Sequence, residues 1–209
     1  MAKVRITLPD ESVREYEEGI TGYEVARSIG EGLAKSALAI SINDTIVDLS
    51  TKILKDSKIK ILTLQSEEGL EIIRHSSAHL MAQAVSRIFS DAKYAIGPTI
   101  KDGFYYDFDL LHRFTPEDIE KIESEMQKIV SEDLPIERKV IKRKDAIEYF
   151  KKRNDIYKVE ILEELTDAEV SLYSQGDFTD LCRGPHAPRT GLLKAFKLIS
   201  LAGAYWRGD

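Results

Sequence analysis

The chain has 209 residues, of which 43% are hydrophobic and 32% are charged, and its formal net charge is −6. These proportions are typical of a soluble globular protein, and no run of about 18 apolar residues is present that would predict a membrane span. A single cysteine excludes an internal disulfide. Because the N-terminus also lacks the apolar run of a signal peptide, we expect a cytoplasmic protein.

The first 64 residues predict a small β-grasp (ubiquitin-like) domain. Thr21 and Glu24 match a capping box, which predicts a short helix that ends near Gly30. Alternating apolar residues and turn signals predict strands before and after it. These strands cover about residues 3–8, 12–16, 37–42, 45–49 and 58–64. The polar residues 65–69 follow, and we place the domain boundary between residues 64 and 65.

Residues 65–209 predict an α+β domain whose mainly antiparallel sheet packs around a histidine-bearing helix. The elements lack a regular strand–helix–strand rhythm, which favours antiparallel pairing. Thr115 followed by Pro116 is a strong helix start. In chain order we expect helix 69–90, strand 103–108, a helix to about 132, strand 136–141, helix 144–153, and strands and loops beyond 166.

Two short segments concentrate the reactive side chains. His75 and His79 are four residues apart, so a helix would place them on one face. Cys182 and His186 form a second pair about a hundred residues later, and the chain has four histidines and one cysteine in all. Three imidazoles and a thiol are enough for a tetrahedral metal site or for a hydrolytic pocket, and both readings stay open.

The residues around the histidines indicate whether these two side chains line a pocket or lie on the surface. The face opposite the histidines is an apolar stripe, made by Leu70, Ile73, Leu80, Ala84 and Ile88. The histidines' own neighbours are Ile72, Ala82 and Ser86 rather than charged residues. A helix with two uncharged faces is expected to be buried on both sides, so we predict that the histidines line an internal pocket. A structural or surface pair is the alternative.

Charge is unevenly distributed along the second domain. Residues 115–137 hold eight acidic and two basic residues, whereas residues 138–158 hold nine basic and three acidic residues. A basic stretch on an acidic protein is compatible with a phosphate-backbone partner, and an ordinary solvated helix face is the alternative.

The whole chain resembles the N-terminal region of bacterial threonyl-tRNA synthetases. The stretches that carry the resemblance are Glu68–His75, Ala95–Pro98, Gly103–Asp107, Tyr157–Val159, Asp180–His186 and Gly203–Asp209. The resemblance implies a TGS domain over residues 1–64 and an editing domain, shared with alanyl-tRNA synthetases, over residues 65–209. It also implies that the class II catalytic and anticodon-binding domains of the full-length protein are absent, so we expect no ligase activity.

The implied activity is hydrolysis of serine from threonine tRNA. Serine lacks one methyl group of threonine, a difference worth only about 1–3 kcal/mol in a binding site, so a second site must remove the mistake. The partner is then the acceptor end of that tRNA carrying serine, and no membrane is involved. A non-catalytic tRNA- or ligand-binding module is the alternative function.

The resemblance also implies the pocket residues, which are His75, His79, Tyr106, Lys158, Asp180, Cys182 and His186. His75 would orient or deprotonate the water, Lys158 would stabilise the leaving ribose oxygen, and Asp180 would hold the serine ammonium. His79, Cys182 and His186 would shape and polarise the pocket, which Tyr106 completes. No cofactor is expected, and zinc held by the three histidines and the cysteine is the alternative.

Overall fold

The structure is a computed structural model that describes residues 2–204 and residue 206. The chain divides into two compact units. Met1–Ile73 and Gly184–Pro188 form the first, and Arg74–Arg183 and Arg189–Asp209 form the second. The domain limits of 1–64 and 65–209 stay a prediction.

The first unit is the expected β-grasp. Its elements are β1 (Lys3–Thr7), β2 (Val13–Glu17), β3 (Ile20–Thr21), α1 (Gly22–Ile29), α2 (Glu31–Ser36), β4 (Ala39–Ile42), β5 (Thr45–Asp48), β6 (Lys52–Ile53) and β7 (Ser57–Leu62). Five strands form one sheet in the order β2-β1-β7-β4-β5. Strands β1 and β7 are parallel, and the other neighbours in this sheet are antiparallel.

Local sequence explains these elements. In β1 the apolar Val4 and Ile6 are buried while the intervening Arg5 is exposed, which is the alternation of a strand with one face on a core. The capping box is confirmed, because the Thr21 backbone N–H donates to Glu24 Oε2 at 2.8 Å. Helix α2 is an addition to the prediction. It follows the extended backbone of Gly30, where the predicted helix ends.

The second unit is the expected α+β domain with a mainly antiparallel sheet. Its elements include most of α3 (Glu67–Ile88), followed by β8 (Lys93–Tyr94), β9 (Thr99–Ile100), β10 (Gly103–Phe104), β11 (Phe108–Asp109), α4 (Pro116–Glu132), β12 (Ile136–Lys142), α5 (Arg143–Lys152), α6 (Ile156–Glu164), β13 (Glu169–Gln175), β14 (Phe178–Leu181) and a 3-10 turn (Thr190–Leu192). Strands β12, β13 and β14 form an antiparallel sheet, and β8–β11 and β9–β10 are antiparallel pairs.

Two local predictions for this unit need correction. The single strand expected over 103–108 is wrong, because β10 and β11 are separate short strands with Tyr105–Asp107 between them. The backbone N–H groups of Tyr105 and Asp107 donate to Pro98 and Ile96, so this stretch pairs irregularly. Helix α6 was not expected. Its apolar pattern is interrupted by Lys158, which is charged yet buried.

Helix α3 is buried on both sides, as its uncharged faces predicted. Leu80, Ala82 and Ala84 are all 0% exposed. Leu70 is an exception to the expected apolar stripe, because it lies near the start of α3 and is 40% exposed. Among the helices of the described residues, none is both long enough and apolar enough to cross a membrane.

Candidate active site

The second unit brings the two helix histidines together. His75 and His79 lie one turn apart on α3, and their ring centroids are 5.4 Å apart in an edge-to-face arrangement. This confirms that their spacing places them on one face of the helix. His79 is buried and His75 is half-buried, so one histidine is enclosed while the other keeps some access to solvent.

Strand β14 and the residue that follows it face these histidines. Phe178, Asp180 and Cys182 alternate along the chain, as residues on one face of a strand do. His75 Nε2 lies 3.2 Å from Cys182 Sγ, and His79 Nε2 lies 3.6 Å from Asp180 Oδ2. The Phe178 ring meets the His79 ring edge to face, with centroids 6.2 Å apart. Helix and strand therefore contribute to one site.

Helix α6 adds a buried cation to the site. Lys158 Nζ lies 2.7 Å from Asp180 Oδ1, and the two side chains are only 5% and 3% exposed. The ammonium also donates to the Ala95 carbonyl at 2.8 Å and to the Tyr106 hydroxyl at 3.1 Å. Burying two charges is costly unless they are paired and hydrogen-bonded, and Lys158 and Asp180 meet both conditions.

Tyr106 closes one wall of the site. Its hydroxyl donates to Asp180 Oδ2 at 2.5 Å, and its ring stacks on Phe108 with centroids 5.0 Å apart. Gly97 lies directly against this ring, since a Cβ added there would be 2.2 Å from Tyr106 Cδ2. The ring can occupy its position only because residue 97 has no side chain.

Burial fixes the protonation of two groups. Burial, together with the neighbouring His75 and Lys158, holds the pKa of His79 well below its usual range, so this imidazole is neutral near pH 7. Burial and the charge of Asp180 raise the pKa of Tyr106 well above its usual range. Tyr106 is therefore a hydrogen-bond donor to the carboxylate, and His79 has one donor and one acceptor nitrogen.

Six predicted pocket residues thus share one site in the second unit, namely His75, His79, Tyr106, Lys158, Asp180 and Cys182. His186 is in Gly184–Pro188, which groups with the first unit. It is buried there, and its backbone N–H donates to Asp48 Oδ1 at 3.1 Å. The inclusion of His186 in the pocket stays a prediction.

The donor set of the second unit is compatible with a metal ion. The ligand atoms of His75, His79 and Cys182 lie within 4.8 Å of one another. Two imidazoles and a thiolate are good zinc ligands, and catalytic zinc sites commonly use three protein ligands. The residues therefore fit a zinc ion, which would supply Lewis-acid chemistry at this position.

Sequence reasoning missed three contributors to the site. The Ala95 carbonyl and Gly97 act through backbone position, and Phe178 packs on His79. The alternation of Phe178 with Asp180 and Cys182 could have indicated the last of these. A carbonyl acceptor leaves no such signal in the sequence.

Two family models match separate parts of the chain. Residues 4–63 match the TGS domain, and residues 170–209 match the "Threonyl and Alanyl tRNA synthetase second additional domain". The first match lies in the β-grasp unit. The second begins in β13 and includes Asp180 and Cys182.

Whole-chain similarity points the same way. The chain is 55% identical to a threonine–tRNA ligase of Carboxydothermus hydrogenoformans over 99% of its own length and 33% of the relative. It is also 55% identical to a threonine–tRNA ligase of Citrifermentans bemidjiense, over 100% of its length and 33% of the relative. The chain therefore spans about one third of the curated relatives that it matches.

Proposed function

Because the chain matches the N-terminal region of threonine–tRNA ligases over its whole length, we propose that its second unit hydrolyses the ester between serine and threonine tRNA. The observation that carries this proposal is the buried group of Lys158, Asp180 and Tyr106 beside two histidines. A buried ion pair with neighbouring imidazoles offers the charges and the proton acceptor that ester hydrolysis needs.

The reaction begins with a water molecule near His75. The water oxygen bonds to the ester carbonyl carbon while His75 accepts a proton, and a tetrahedral oxyanion forms. The oxyanion then re-forms the carbonyl, the bond from carbon to the ribose oxygen breaks, and the ribose oxygen takes the proton from His75. The products are free serine and a tRNA with a free terminal hydroxyl.

Lys158 is the cation available to the negative charge that develops. In our proposal its positive charge stabilises the leaving ribose oxygen without a direct hydrogen bond, because its three N–H groups already donate to Asp180, Tyr106 and the Ala95 carbonyl. The Asp180 carboxylate already accepts from Lys158, from the Tyr106 hydroxyl and from the Leu181 backbone N–H. With about four lone-pair sites, it retains room for one further donor, which we assign to the serine ammonium.

The remaining predicted residues shape the site. His79 borders Asp180 and is neutral. It therefore adds polarity without competing with the substrate's ammonium for the Asp180 carboxylate. Cys182 contacts His75 and fixes one side of its ring. His186 is included in the pocket as part of the proposal. The partner is the acceptor end of the tRNA, and the setting is the cytoplasm.

The proposal is tested by mixing the chain with seryl-tRNA for threonine and following loss of the ester. Hydrolysis at catalytic rates supports it. Binding without turnover would contradict it and would favour a non-catalytic tRNA-binding module. Hydrolysis that vanishes with a chelator and returns with zinc would assign the chemistry to the metal alternative instead.

A further inference from the structure

A third side chain extends the histidine face of α3. Gln83 follows His79 by one helical turn and is 0% exposed. Its Nε2 donates to the Gln175 carbonyl at 3.0 Å and to Asp177 Oδ1 at 2.7 Å. The Gln175 side chain is also buried, and its Nε2 donates to Gln83 Oε1 at 2.9 Å. Gln83 therefore bonds to both the backbone carbonyl and the side-chain amide of Gln175, which joins α3 to the β13–β14 hairpin.

Three contacts, one for each helical turn, join α3 to the β13–β14 hairpin and the residue after it, and we call this series of contacts the ladder. His75 meets Cys182, His79 meets Asp180, and Gln83 meets the turn at Asp177. A helical turn advances by about 5.4 Å, and two residues of an antiparallel strand advance by about 6.8 Å. The near match of these repeats allows the first two contacts to form as the chains run in opposite directions, and the third falls on the turn residue Asp177, three positions before Asp180.

The turn end of this ladder is closely packed. Gly176 lies in the left-handed region with a φ of +57°, and a Cβ added there would be 2.9 Å from Leu134 Cδ1 and 3.5 Å from Gln83 Nε2. Apolar contacts alone permit two elements to slide. Buried amides resist sliding, because a displaced amide leaves an unsatisfied donor or acceptor.

We propose that Gln83 and Gln175 are positioning residues that fix the register between α3 and β14, and thereby the placement of His75 and His79 against Cys182 and Asp180. This inference rests on the proposed hydrolytic function. A misplacement of about 1 Å in a catalytic site can cost ~10²-fold in rate. The amide pair therefore acts on catalysis through the histidines, without touching the substrate.

The test replaces Gln83 with methionine, which has a similar shape and cannot form these hydrogen bonds. The matched control is Thr190→Val in the same unit. Thr190 is also fully buried, and its hydroxyl donates to the Ile129 carbonyl at 2.9 Å and accepts from the Leu134 backbone N–H at 2.8 Å. Both variants lose buried hydrogen bonds, but only Gln83→Met removes hydrogen bonds between α3 and the β13–β14 hairpin.

Single-turnover hydrolysis of seryl-tRNA is measured at several enzyme concentrations. We expect Gln83→Met to lower the maximal rate ~10- to 100-fold while the half-saturating concentration changes by less than about 2-fold. Thr190→Val should keep the maximal rate. Equal losses in the two variants, or a change confined to half-saturation, would overturn the positioning role. If Gln83→Met does not fold, Gln175→Met, which removes the hydrogen bond to Gln83 Oε1 and leaves both Gln83 Nε2 bonds in place, provides the second variant with the same expectation.

Imidazole nitrogen NMR reads the geometry without any hydrolysis. The ring signals of His75 and His79 should shift in Gln83→Met and stay in place in Thr190→Val, with His112 as an internal reference. Unchanged His75 and His79 signals in Gln83→Met would overturn the inference. If the wild-type chain does not hydrolyse the ester, the proposed function fails, and these signals still decide whether the amides set the register.

Discussion

Lys158 and Asp180 form an ion pair of 2.7 Å in which neither side chain is more than 5% exposed. Tyr106 donates a hydrogen bond to Asp180, and the Ala95 carbonyl accepts one from Lys158. In such a network each member holds the others in place, and removal of one partner leaves a charge in a medium that solvates it poorly.

Replacement of Lys158 by methionine should therefore destabilise the chain strongly. We expect the free energy of unfolding to fall by about 3–5 kcal/mol, because Asp180 loses its buried cation. The matched control is Lys151→Met, which breaks an ion pair with Glu163 whose side chains are 57% and 54% exposed. That change should cost less than ~1 kcal/mol. Urea denaturation measures both, and similar losses would contradict a special role for burial.

His75→Ala should reduce ester hydrolysis by at least ~10²-fold, the usual scale for losing a positioned acid or base. The control is His112→Ala, since His112 lies outside the site and contacts Asp118 at 2.6 Å. Single-turnover deacylation of seryl-tRNA measures both variants. A folded His75→Ala variant that keeps the wild-type rate would remove His75 from the mechanism.

His79 should make stability depend on pH. Its folded-state pKa lies below the ordinary value of 6.5, so at mildly acidic pH the unfolded chain binds a proton that the folded chain does not. The stabilisation is complete above about pH 6.5 and is lost as the pH falls towards the folded pKa, by up to about 1.4 kcal/mol per pH unit. Urea denaturation between pH 7 and pH 5 should show a smaller decline for His79→Gln. Parallel curves would contradict this assignment.

Selectivity should appear in the maximal rate. Threonine carries one more methyl than serine, and crowding in a close-packed site costs about 1–3 kcal/mol. The walls of the site include the buried Phe178 and Tyr106, which leave little freedom to adjust. If the methyl displaces the attacking water, seryl-tRNA is cleaved much faster than threonyl-tRNA at saturating enzyme. Single-turnover assays of both esters check this, and equal maximal rates with different half-saturation would mean that the site selects at binding.

Binding of tRNA should weaken as salt rises, because phosphate contacts release counterions. Lys142 and Lys144 are exposed and suit a charge-reversal test, whereas Arg143 Nη1 donates to the Leu162 carbonyl at 3.2 Å and is better left intact. Lys142→Glu with Lys144→Glu should weaken binding and lower the slope of log affinity against log salt by about 1 per lost contact.

The control for this binding test reverses the charges of Lys121 and Lys128 by the same change to glutamate. Both side chains are exposed on the acidic helix α4. Fluorescence anisotropy with labelled tRNA measures both pairs of substitutions. Equal effects would assign Lys142 and Lys144 to solvent rather than to RNA.

The sequence alone predicts the part of the site that depends on local periodicity. Four-residue spacing on a helix places His75 beside His79, as predicted. The two-residue spacing that places Asp180 and Cys182 on one face is equally local and could have been predicted in the same way. The capping box at Thr21 and the N-cap residue Thr115 followed by Pro116 likewise predict the starts of α1 and α4. Each of these features is decided by residues a few positions apart.

Contacts between distant elements are different. Lys158 reaches Tyr106 across 52 residues and Tyr106 reaches Asp180 across 74 residues. A lysine within a basic stretch is typical of the protein surface, and a tyrosine in an aromatic run is typical of the core. Only the packing of α6 against the rest of the unit shows that both meet one carboxylate. The resemblance named these residues, but periodicity could not.

The contact between Gly97 and Tyr106 makes the site vulnerable at a residue that takes no part in the chemistry. Even alanine at residue 97 would push its methyl into the ring and displace the hydroxyl that Asp180 and Lys158 share. Such a variant would keep every polar side chain of the site and still lose their arrangement. A substitution at Gly97 can therefore disrupt the site, although glycine contributes no side chain to it.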